Sequence, residues 1–167
     1  MLEGIKIKPL KRNFDERGSF TELMRNDWKE ILQEDEIAQA NLSVSYQGMI
    51  RAWHRHLRGQ VDYFTCLNGT IKICAYDDES KELDEIISTG GDLRIVRVPG
   101  HYWHGFKVIG DKPAWLLYFV NRLYDYANPD EERRPWNDQT IIPRSINGKK
   151  DDPKAGKPWN WLAIPYR

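Results

Sequence analysis

Between residues 37 and 121 the chain falls into short alternating apolar segments, near 37–45, 49–57, 61–67, 70–76, 83–88, 94–98, 103–109 and 114–121. Gly, Pro, Asn or Asp separates them. A period of two puts successive side chains on opposite faces of a strand. The spacing leaves no room for the crossover helices that a parallel sheet needs. The chain is therefore predicted to be all-β, a sandwich or barrel. Two further strand-like stretches come first, Ile5-Lys-Ile-Lys8 and Ser19 to Met24, the second after a turn at Asp15-Glu-Arg-Gly18. One short helix is predicted near 26–33, with Asn26 as its cap and Trp28, Ile31 and Leu32 on one face.

From about Leu123 the alternation stops. Pro129, Pro135, Pro143, Pro153, Pro158 and Pro165 stand among charges and tryptophans. This stretch carries too many aromatics to remain unpacked, and it reads as an irregular C-terminal tail wrapped on the barrel or on a partner subunit. At 167 residues the whole chain is expected to form one domain.

Lys and Arg number 25, as do Asp and Glu, so the net charge is zero and a nucleic-acid partner is not expected. An anionic ligand must be small and met by a few placed arginines. No apolar run approaches the ~20 residues of a membrane span, and no leader opens the chain, so a soluble cytoplasmic protein is expected. The two cysteines flank Asn68-Gly69. A two-residue hairpin turn there pairs Cys66 with Ile71 and Tyr63 with Cys74, which leaves the thiols on opposite faces, free and buried.

His54 and His56 are two apart on a predicted strand, so they share a face. Inside a barrel, neighbouring imidazoles can bind a metal or move protons. Gly48 to His56 fits the cupin pattern Gly-x5-His-x-His, and Asp62 lies six residues after His56, one or two later than that pattern's acid. Six residues lie between Asp62 and Gly69, as the pattern has it. Pro99-Gly100 and His104 form a looser second half, and His101 reads as a loop residue. On the residues alone a metal cupin stays open, a dioxygenase or isomerase holding Fe, Mn or Zn on His54, His56, Asp62 and His104. A catalytically silent binding or scaffold cupin stays open as well.

Further motifs narrow the choice. They are Phe14-Asp-Glu-Arg17-Gly18-Ser-Phe20-Thr-Glu22, Gln39-Ala-Asn41-Leu-Ser43, Gly48-Met-Ile-Arg51-Ala-Trp-His54, Asn68-Gly69 and Tyr76-Asp77. Pro99-Gly100 through Phe106 and Tyr124-Asp-Tyr126-Ala-Asn-Pro129-Asp-Glu131 complete the series. Set together, and in this order, they resemble the dTDP-4-dehydrorhamnose 3,5-epimerases, cupin-fold enzymes of deoxysugar nucleotide synthesis.

That resemblance implies a jelly-roll barrel, a homodimer with an exchanged N-terminal strand, no cofactor or metal, and a nucleoside-diphospho-4-keto-6-deoxyhexose substrate. It makes His54 the catalytic base and Arg51 a substrate-site arginine, with His104 a second site histidine. Arg17, Phe20 and Glu22 become the nucleotide-binding strand lent across the dimer, and Gln39 and Asn41 polar liners of the site. The family's tyrosine acid falls at Tyr124 counting on from Tyr118, or at Tyr126 aligning back from Pro129; Tyr124 is preferred. Two positions depart from the family: Asp62 stands where it carries a lysine, and His56 where it carries a glutamine. Arg51 and His104 are then the candidates for stabilising an enolate, and the carboxylate partner of His54 is unassigned.

Overall fold

The computed structural model describes residues 1–163. In chain order the strands are Lys6–Pro9 (β1), Asn13–Asp15 (β2), Gly18–Phe20 (β3), Gln39–Ser45 (β4), Ile50–Arg55 (β5), Val61–Asn68 (β6) and Thr70–Tyr76 (β7). They continue as Glu82–Thr89 (β8), Arg94–Pro99 (β9), Trp103–Val108 (β10), Ala114–Val120 (β11), Glu132–Arg133 (β12) and Ser145–Ile146 (β13). One sheet has the order β1-β9-β6-β11-β4 and the other β12-β5-β10-β7-β8-β13, while β2 and β3 pair only with each other. Every pairing is antiparallel except β13 on β8.

The alternation predicted from sequence decides what lies between the sheets and what lies outside them. Phe64, Cys66, Ile71, Ile73, Val96, Val98, Phe106, Val108 and Leu116 form the cluster between the sheets. The intervening residues face outward and are covered in two places. Trp53, Cys74, Tyr76, Leu83 and Trp103 lie under the tail, which buries Ile141, Ile146, Trp159 and Trp161 against them. Val61, Tyr63 and Ile95 lie under Ile31 and Leu32 of the helix. Burying side chains of this size contributes ~1.5–3 kcal/mol each.

Three sequence expectations need correction. The helix is a single turn, Lys29–Leu32 (α1), not 26–33; Trp28 and not Asn26 is at its N-cap, with no side-chain cap bond. It forms because Ile31 and Leu32 can be buried on the sheet, not because the start is capped. The strand expected over Ser19 to Met24 ends at Phe20. Asn68-Gly69 does not close a hairpin: β6 pairs with β9 and β11, and β7 with β8 and β10, so the chain changes sheet at this point. A Cβ on Gly69 would meet the Pro113 carbonyl at 2.7 Å, and its φ is +73°, so the turn needs glycine for passage and not for pairing. The cysteines are nevertheless free and buried, Cys66 in the cluster between the sheets and Cys74 in the cluster under the tail. Burial pushes the Cys66 thiol up to about 11. Pro165 of the tail lies outside the described residues. Among the described residues no helix is long and apolar enough to cross a membrane.

Candidate active site

The inner face of the barrel turns polar at one end, and a pocket of about 740 Å³ opens there. Its position follows from register. On β11 the inward positions are Leu116, Tyr118 and Val120, and β4 sets Ser43, Asn41 and Gln39 opposite them. All six line the pocket. The Gln39 amide donates to Asn41 Oδ1 at 2.7 Å, and Gln39 Oε1 accepts from the backbone N–H of Tyr124 at 3.0 Å.

On the other sheet β5 supplies His54. His104 of β10 faces His54 in register, but two residues further along β10 Phe106 faces Arg51, three residues away on β5. The extra residue is a bulge, Ala52-Trp53 opposite Gly105, and it turns Arg51 and His54 to the same side where a regular strand would separate them. Gly105 permits it: a Cβ there would lie 2.4 Å from both the Ala52 Cβ and the Arg51 carbonyl oxygen. Gly100 has a similar role beside His56, where a Cβ would meet the Gln60 carbonyl at 2.3 Å and the His56 Cβ at 2.9 Å.

Three imidazoles gather at the pocket end. The His54 and His104 rings are 4.2 Å apart between centroids, and the ligating atoms of His54, His56 and His104 lie within 4.8 Å of one another. His54 and His56 line the pocket, while His104 is wholly buried behind it. Loss of solvation, then the neighbouring His104 and His56 and the Arg133 guanidinium, hold the His54 imidazole well below its ordinary value. A neutral imidazole facing a pocket is a base. Asp62 is buried on β6, with Oδ2 3.2 Å from His104 Nε2 and 3.7 Å from His56 Nε2.

Tyr124 and Tyr126 both stand at the mouth, with rings 5.0 Å apart; Tyr126 is 87% exposed and Tyr124 43%. Arg51 lines the wall and donates from Nε to Ser45 Oγ at 3.0 Å. Arg17, Phe20 and Glu22 sit elsewhere, on and just beyond the exposed β2–β3 hairpin, and do not line the pocket of their own chain. Arg17 pairs with Asp15, and Glu22 with Arg25. His101 lies in the turn between β9 and β10, stacked on Tyr102.

Several pocket residues escaped the sequence reading. Tyr118 is one, although the period of two from Leu116 points to it; burial, then the Asp62 carboxylate, pushes its phenol up. Arg133 is another: β12 pairs with β5 so that Arg133 is opposite His54. Arg122, Arg134 and Trp136 also line the wall. The tail had no strand pattern to show that a two-residue strand would dock there.

The chain matches the dTDP-4-dehydrorhamnose 3,5-epimerase family over residues 1–153. It belongs to that family. Among curated relatives it is 41% identical over 141 residues to a probable low-salt glycan biosynthesis epimerase of Haloferax volcanii, covering 81% of this chain and 89% of the relative. It is 35% identical over 146 residues to a spore coat polysaccharide biosynthesis protein of Bacillus subtilis, covering 84% and 94%. Among solved structures, the 4-keto-6-deoxy sugar epimerase of the novobiocin cluster of Streptomyces spheroides superposes with a TM-score of 0.70 at 26% identity, over 94% of this chain and 78% of that one. The barrel is thus a cupin-type jelly roll, and the protein is an enzyme of the epimerase class.

Proposed function

We propose that this enzyme epimerises a nucleoside-diphospho-4-keto-6-deoxy sugar, with His54 as the base and Tyr124 as the acid. The observation that carries the reading is a neutral, desolvated His54 opening on a pocket large enough for a sugar nucleotide, with tyrosines at the mouth. A C4 ketone acidifies the hydrogens on C3 and C5, so one base beside the ring can take either. His54 removes the proton, the electron pair moves toward the keto oxygen, and a phenol on the opposite side returns a proton with inversion. Tyr124 is favoured over Tyr126 because its backbone is held by Gln39 and its ring is less exposed.

Arg51 and Arg122 supply the charge for a diphosphate. Among the described residues neither is in an ion pair, whereas Arg133 pairs with Glu131 and Arg134 with Asp78. The nucleotide reading extends to a homodimer in which Arg17, Phe20 and Glu22 are lent to the partner's pocket. Two features support it. Phe14 and Phe20 are 74% and 67% exposed on a hairpin that touches neither sheet of its own chain by pairing, and Leu42, Val44 and Trp115 form an exposed apolar strip at the free edge strand β4. A cytoplasmic setting, where sugar nucleotides are made, suits two buried free thiols.

The test is solvent exchange. Incubated in D₂O with dTDP-4-keto-6-deoxyglucose, the enzyme is expected to place deuterium at C3, C5 or both. Absence of uptake with this and other 4-keto sugar nucleotides would leave a binding protein in place of an epimerase.

A further inference from the structure

The proposed reaction leaves one charge without a partner. When His54 takes a proton from carbon, the electron pair collects on the C4 keto oxygen, and a positive group in the pocket must meet it. Among the described residues the pocket wall carries four guanidiniums, on Arg51, Arg122, Arg133 and Arg134, and no lysine. Register and contacts separate them. Arg134 turns outward: it exchanges backbone bonds with Trp53, lies over the Trp103 ring at 4.1 Å and holds Asp78 through both terminal nitrogens. Arg51 is drawn toward β4 by its bond to Ser45. Arg122 follows β11 on the opposite sheet, its guanidinium against Gly59, where a Cβ would meet it at 3.1 Å.

Arg133 is placed differently. Strand β12 lies beside β5 with Arg133 directly opposite His54. The next pair along, Trp53 and Arg134, exchanges both backbone bonds, so His54 and Arg133 form the non-hydrogen-bonded pair beside it. Side chains of such a pair share a face, with Cβ atoms about 4.5–5.5 Å apart. Arg133 thus stands beside the base on the pocket side. Its guanidinium is close enough to act on that base: after burial and the neighbouring His104 and His56, it adds to what holds the His54 imidazole down. Glu131, two residues back and also in the pocket wall, accepts from Arg133 Nη2 at 2.8 Å and aims the group. That bond uses one of five N–H donors, and the side chain is 76% exposed, so the others are open to a ligand.

We propose that Arg133 is a catalytic residue whose guanidinium binds the keto oxygen and stabilises the enolate. The inference rests on the proposed epimerase function and supplies the charge that reading leaves unassigned. The C–H bond breaks, its proton goes to His54, its electron pair becomes the C=C bond, and the C=O π pair moves to oxygen. Arg133 keeps all its protons. The phenol returns a proton to carbon, the imidazolium gives one to solvent and the phenolate takes one back, so nothing is oxidised or reduced. A guanidinium repels the imidazolium that forms beside it, and the negative oxygen held between the two offsets that repulsion. Before the reaction the same repulsion keeps His54 unprotonated. A ligand filling the pocket displaces water from the guanidinium and strengthens each effect.

The experiment measures deuterium uptake from D₂O into dTDP-4-keto-6-deoxyglucose by the full chain, over a series of substrate concentrations. Arg133→Gln should lower the rate at saturation by about 10²–10³-fold, as loss of an oxyanion donor does, with little change in KM. Arg133→Met, which keeps the stem and loses the charge, should behave alike, and Arg133→Lys should recover part of the rate. Glu132→Gln, next in the strand but paired with Arg55 on the outer side, should leave uptake unchanged. Circular dichroism and the unfolding midpoint check that each variant is folded. Uptake at the wild-type rate in folded Arg133→Gln or Arg133→Met overturns the proposal. A higher KM at unchanged kcat overturns it too, since Arg133 would then hold the diphosphate. If the wild-type chain shows no uptake with any 4-keto sugar nucleotide, the epimerase reading fails and this role fails with it; wild-type uptake that ignores Arg133 removes only the role.

Discussion

The two ends of the barrel interior are built from the same strands with opposite chemistry. At the closed end β6 gives Cys66, β10 gives Val108 and β11 gives Ala114, all within one apolar cluster. At the open end the same inward faces give Asp62, His104 and Tyr118. Along each of these three strands the chemistry is set by which side chains fall on the inward positions of a shared period of two. The closed end stabilises the molecule by burying apolar area. The open end instead buries a carboxylate and two imidazoles, which costs stability unless a proton or ion compensates. A strand of this kind is half scaffold and half site.

If the ends are divided in this way, substitutions at each should fail differently. The largest effect is expected at the open end. His54→Ala should lower the rate of deuterium uptake by about 10²–10⁴-fold, read by mass spectrometry, while the unfolding midpoint stays close to that of wild type. Near-normal uptake would mean that another group is the base. At the closed end Ile71→Ala, a wholly buried residue that does not line the pocket, should cost about 2–5 kcal/mol in urea unfolding, with uptake per folded molecule retained. A loss of uptake in the folded variant would show that the two ends are coupled more tightly than the division allows.

Arg17→Ala tests a region outside both ends. Because Arg17 is far from the pocket of its own chain and paired only with Asp15, its removal should leave folding and kcat almost unchanged. It should raise KM, provided the hairpin serves a partner's pocket. An equal fall in kcat would place it at the reacting sugar. The smallest expected effect concerns the thiols. With the Cys66 thiol raised to about 11 and Cys74 raised as well by full burial, the native protein should resist iodoacetamide near neutral pH, and urea should expose both.

The sequence made the strands legible because each inward run had to alternate, and made His54 and His56 legible as a pair for the same reason. It misplaced the connection at Asn68-Gly69, since a two-residue hairpin and a crossing between sheets demand the same permissive glycine. It overextended the helix because Asn26 was a plausible cap, whereas the burial of Ile31 and Leu32 decides where the turn forms. Arg133 could not be read at all: its approach to His54 depends on a two-residue strand held by backbone bonds between Trp53 and Arg134, both ways, at 3.1 and 3.0 Å. Asp62 was seen in the sequence as a departure from the family, but its convergence with His56 and His104 needed three strands in register.

The extra residue opposite Gly105 has an evolutionary consequence. It works as a change of parity midway along β5: on one side even-numbered positions face the interior, and on the other odd-numbered ones do. A lineage that deleted it would turn Arg51 out of the pocket and leave His54 and His56 in place. The part of the strand that holds the substrate and the part that carries the imidazoles can thus diverge separately, by the gain or loss of a single residue.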